Sequence, residues 1–63
     1  MIANHEPLRT YRIRVGHWEV RVAAHSSEEA IELARRHLTQ ELPRLYDVIR
    51  SLTAARFEVE AAA

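Results

Sequence analysis

The amino-acid sequence predicts an α+β fold, a two-layer sandwich of order ββα(α)β in which a three-stranded antiparallel or mixed sheet of strand order 2-1-3 carries its helices on one face. Three observations lead there. Residues 11–22 fold onto themselves around Gly16-His17 with like facing like, residues 31–52 repeat apolar side chains at helical spacing, and residues 56–60 return to strict alternation.

A two-residue loop led by glycine suits a type II′ hairpin turn, whose first central position needs a positive φ. With that turn Val15 faces Trp18, Ile13 faces Val20 and Tyr11 faces Val22 on one side of the ribbon. On the other side Arg14 faces Glu19 and Arg12 faces Arg21. Strands are therefore expected over 10–15 and 18–24. Residues 1–9 contain Asn4, Glu6 and Pro7, lack periodicity, and read as a flexible N-terminal arm.

Ser26 can cap a helix while Glu29, three residues on, returns the bond in a capping box, and Glu28 and Glu29 suit the positive end of the helix dipole. From there Ile31, Ala34, Leu38 and Leu42 form one stripe, with Glu32 placed to pair with Arg36 on the solvent side. Pro43 lacks an amide donor and drives Leu42 out of the α region, yet Leu45, Ile49 and Leu52 continue the stripe in phase. Two arrangements fit: one helix kinked at Pro43, or a first helix ending near Gln40 and a second with Pro43 in its first turn. The second is favoured, because proline suits a first turn and a break lets the second helix fold back over the sheet. Residues 53–55 make the return loop, 56–60 the third strand, and 61–63 a frayed tail, leaving a single domain over 10–60.

A right-handed crossover from the second strand to a parallel third places the third beside the first. The expected core is then Tyr11, Ile13, Val15, Val20, Val22, Phe57 and Val59 against Ile31, Ala34, Leu38, Leu42, Leu45, Ile49 and Leu52.

A chain of 63 residues buries only roughly 60% of the surface its unfolded form exposes, so the core is thin. There is no cysteine to staple it, and the four histidines, His5, His17, His25 and His37, do not fall at metal-ligand spacing. No metal and no cofactor are expected; oligomerisation is the remaining source of stability. All nine cations are arginine and nine acidic residues balance them, so the molecule exerts no general pull on nucleic acid or anionic membrane. No apolar run approaches the roughly 20 residues of a membrane span, and no signal peptide is recognisable. A cytoplasmic protein without membrane contact is expected.

The open face of the sheet holds Arg12, Arg14 and Arg21, a candidate anion or partner face. Arg12 and Arg21 form a non-hydrogen-bonded cross-strand pair, the closer kind, where like charges repel and something should compensate. Glu19, Glu58 and Glu60 reach the same face and can neutralise it. Trp18 beside the turn, Leu33 off the main helical stripe and Tyr46 next to it are candidate interface residues. Catalysis finds little: Ser26 and Ser27 read as caps, a single glycine cannot build a phosphate loop, and no serine sits on a nucleophile elbow. His25 and Glu19 are the nearest approach to a site completed across a dimer. The expectation is a small non-catalytic interaction or regulatory module acting as a homodimer, with an unidentified protein as a further partner. The alternative is a nucleic-acid or phosphate-binding module using the arginine face, which zero net charge disfavours.

Overall fold

In the computed structural model, which describes residues 7–62, Gly16 turns the chain at φ 61°. No other described residue has positive φ, so His17 excludes a type I′ turn and leaves type II′. The turn joins β1 (Arg9–Val15) to β2 (Trp18–Ala24) in the register Val15↔Trp18, Ile13↔Val20, Arg12↔Arg21. Then follow α1 (Ser27–Glu41), a 3-10 turn over Pro43–Leu45, α2 (Tyr46–Ser51), a second 3-10 turn over Ala54–Arg56, and β3 (Glu58–Ala61). The sheet order is β2-β1-β3 with both outer strands antiparallel to β1, the α+β topology expected from the sequence.

The strand limits differ at both ends. Arg9 pairs with Ala24, Ala61 pairs with Tyr11, and the Ala62 N–H donates to Thr10 O at 2.8 Å, so pairing extends into the presumed arm and tail. Backbone ladders need no side-chain pattern, and Ala61 carries none. At the start of β3, Arg56 and Phe57 are instead held by a 3-10 turn through Arg56 N–H to Thr53 O and Phe57 N–H to Ala54 O, both 3.0 Å. Residues 1–6, including His5, and residue 63 lie outside the described residues.

Ser26 caps α1 by accepting the Glu29 N–H at 3.1 Å. The return bond is not the expected one: Glu29 Oε1 accepts from the His25 N–H at 2.5 Å and lies 3.0 Å from His25 Nδ1. Reaching one residue further lets the carboxylate meet a backbone donor and an imidazole together. Leu42 leaves the helix at φ −127°, ψ 66°, and Pro43 opens the next turn, giving the two-helix arrangement.

Helix α1 packs over β2 and β1 through Ala30, Ala34 and Leu38, which are buried together with Ala24, Tyr11, Ile13, Val15, Val20, Ile49 and Phe57. Val22, Ile31, Leu42, Leu45, Leu52 and Val59, expected in the core, pack only half-buried against it. The buried line is centred on Ala30 rather than Ile31, because alanine lets the helix approach the sheet closely. That roll also carries Leu33 inward, so it packs against the core instead of projecting from it.

Candidate functional site

The open sheet face is an array of three charged columns. Glu19, Arg14 and Glu58 form one row across the strands, and Arg21, Arg12 and Glu60 the next. Arg12 Nη2 donates to Glu60 Oε1, and this hydrogen bond, reinforced by the charge of Glu60, raises the Arg12 pKa above the ordinary arginine value. Arg14 lies between two glutamates in register. Arg21 faces Arg12 on its inner side and has no ion-pair partner among the described residues. The face therefore carries three positive and three negative side chains, with Arg21 the member least compensated.

Position at the sheet edge gives Arg21 a second property. Thr10 O accepts from Ala62, which shows that alternate β1 residues, Thr10, Arg12 and Arg14, direct their backbone groups toward β3. Arg9, Tyr11, Ile13 and Val15 then face β2, and their partners Trp18, Val20, Val22 and Ala24 face back. Glu19, Arg21 and Ala23 are left with backbone N–H and C=O directed outward from β2, and all three residues are exposed.

The candidate interface residues are dispersed. Trp18 is half-buried on the helix side of β2, its ring 5.2 Å from that of His17 at 47°. Leu33 lies half-buried on α1. Tyr46 is 51% exposed at the start of α2, with Arg50 Cζ 5.9 Å from its ring centroid, and neighbouring Val48 is 52% exposed. His25 and Glu19 sit at opposite ends of β2 and do not come together; His25 is engaged by Glu29. The hydrogen bond from the His25 backbone N–H holds the Glu29 carboxyl below the usual carboxylate range, against a smaller effect of burial.

Arg35 went unnoticed in the sequence. It is buried between the helices, with Nη1 donating to Ile49 O at 2.8 Å, Arg50 O at 3.4 Å and Leu52 O at 2.8 Å. Its guanidinium lies 4.9 Å from the Phe57 ring centroid, and Glu32 Oε2 is 3.7 Å from its Nε, so Glu32 approaches Arg35 rather than Arg36. The available signal was angular: Arg35 precedes Leu42 by one heptad and lies on the same line of the helix. It satisfies the carbonyls that end α2, a structural role.

Beside Arg35 lies a concavity of about 270 Å³ lined also by Arg36, Arg50, Thr39 and Tyr46. Thr39 Oγ1 donates to Arg36 O at 2.8 Å and is engaged within the helix. A more apolar groove of about 420 Å³ runs along Leu42, Pro43 and Leu45. Among the described residues no group of three His, Asp or Glu side chains gathers as a metal site, and no helix is long and apolar enough to cross a membrane. Comparison of the chain with protein-family models, curated proteins and solved structures finds no match.

Proposed function

We propose that the protein is a small non-catalytic interaction module that acts as a homodimer joined along the outer edge of β2. One observation carries the reading: a seven-residue edge strand, without proline or bulge, whose outward backbone groups at Glu19, Arg21 and Ala23 meet no other described element. Such an edge is a template for another strand, and a thin core gains from covering it. Symmetric pairing closes the assembly at two copies. The non-catalytic part is supported by the linings of the two concavities described, neither of which brings a histidine beside a serine or threonine hydroxyl.

The alternative of nucleic-acid or phosphate binding by Arg12, Arg14 and Arg21 has less support, since three glutamates share that face and one is hydrogen-bonded to Arg12. Light scattering coupled to size exclusion, over a range of protein and salt concentrations, tests the homodimer. The expected mass is twice the 7.3 kDa of the chain. A single-chain mass at every concentration overturns the reading.

A further inference from the structure

The homodimer just proposed leaves its register open, and the charges on β2 select one. We infer that β2 pairs antiparallel with its copy about a twofold axis at Val20, so that each Glu19 faces the partner's Arg21. This inference rests on the homodimer reading and adds to it the residues that define the contact.

Outward backbone groups must meet outward groups, so Glu19, Arg21 and Ala23 pair only among themselves or with residues an even number of positions away. A register with Glu19 on the partner's Glu19 sets carboxylates face to face, and one with Arg21 on the partner's Arg21 does the same with guanidiniums. Sliding further, to Arg21 on the partner's Ala23, leaves Arg21 uncompensated and gains no length of ladder over Glu19 on Arg21. Only Glu19 against the partner's Arg21 places opposite charges across the new strand pair, and symmetry forms that contact twice. It supplies Arg21 with a carboxylate, which no described residue of the single chain provides as an ion pair.

The helix side of the strand agrees with this register. Val20 meets the partner's Val20 on the axis, and Trp18 lies opposite the partner's Val22; Trp18 and Val22 are both half-buried in the single chain. The other edge offers no equivalent. β3 has four residues, and self-pairing along its length sets Glu60 against the partner's Glu58 or Glu60.

Arg21→Glu separates the effects inside the chain from those between chains. Within one chain it relieves the Arg12–Arg21 repulsion; between chains it sets Glu19 against a second carboxylate, twice. Sedimentation equilibrium at low salt should show the dimer dissociation constant rising roughly tenfold or more. Glu19→Arg combined with Arg21→Glu rebuilds the pair with charges exchanged and should return the constant to within about threefold of the original. As a second measurement, Val20→Cys in this cysteine-free chain should form an intermolecular disulfide under mild oxidation, since facing non-hydrogen-bonded residues have Cα atoms about 4.5 Å apart. Ala23→Cys should not. A dimer indifferent to Arg21→Glu, not restored by the double reversal, or cross-linked through residue 23 instead of 20 overturns the register and leaves the homodimer standing. A wild-type chain that never dimerises overturns both.

Discussion

Replacing Arg35 by methionine keeps a long side chain over Phe57 but removes the guanidinium that three carbonyl oxygens share. The losses are unequal. Ile49 O retains the Leu52 N–H at 3.2 Å, and the contact to Arg50 O was long at 3.4 Å. Leu52 O loses its 2.8 Å bond and has no second donor among the described residues; a fully buried acceptor would cost about 1–3 kcal/mol, and this part-buried one lies toward the lower end. Loss of the contact with the Phe57 ring adds about 0.5–1 kcal/mol, and relief of the buried charge offsets part of the total. The expected net loss is about 1–3 kcal/mol. A chain of 63 residues is stable by only roughly 3–9 kcal/mol, so the change is a large fraction of the whole. Urea unfolding followed by circular dichroism and Trp18 fluorescence, at one fixed protein concentration so that the proposed association would weigh equally on every variant, should show the midpoint falling with the slope unchanged. Arg36→Met, on the exposed neighbour, should stay within about 0.5 kcal/mol of wild type. If Arg35→Met behaves like Arg36→Met, the assignment of Arg35 as the cap of α2 is wrong.

Two further predictions concern the turns. A Cβ at Gly16 would meet nothing within 4 Å, so Gly16→Ala and Gly16→Ser should cost the same, about 1–2 kcal/mol, from the positive φ alone; a loss of only a few tenths in urea unfolding would contradict a type II′ turn. Glu29 is held below the usual carboxylate range chiefly by the His25 backbone N–H, so its stabilising effect is complete above the unfolded carboxylate pKa and disappears as pH falls through the lower folded value. Melting temperatures of wild type and Glu29→Gln should therefore differ at pH 6 and converge toward pH 2.5; a constant difference across that range would rule out the linkage.

The hairpin, its register and the strand order were legible because each depends on local rules: a glycine turn, alternation with period two, and the hand of a crossover. The break at Pro43 was legible for the same reason. Arg35 was not, since an arginine among helical leucines reads as solvated until α2 folds back and presents its carbonyls. Leu33 was misplaced because small Ala30 permits a closer approach of α1 than the larger Ile31 suggested, and the resulting roll has no signature in periodicity alone. The return bond of the helix cap went to His25 because a glutamate side chain can satisfy either of two adjacent amides, and sequence spacing does not choose between them.

The proposed pairing of β2 accounts for charges that a strand merely lying at an edge would not need. A monomer protecting this edge would gain from a lysine or proline directed outward, or from a carboxylate at position 21 to meet Arg12. The chain instead places Glu19 and Arg21 two residues apart, an arrangement that repels its own neighbour Arg12 inside the hairpin and becomes self-complementary only under a twofold antiparallel operation. Inside the hairpin Arg21 lacks a carboxylate partner among the described residues; in the proposed dimer it would gain one, while still facing Arg12 across the hairpin. Arg21→Glu is therefore expected to stabilise the single chain, measured at concentrations too low for association, while weakening the proposed dimer, a pair of responses that separates an interface residue from an ordinary surface charge.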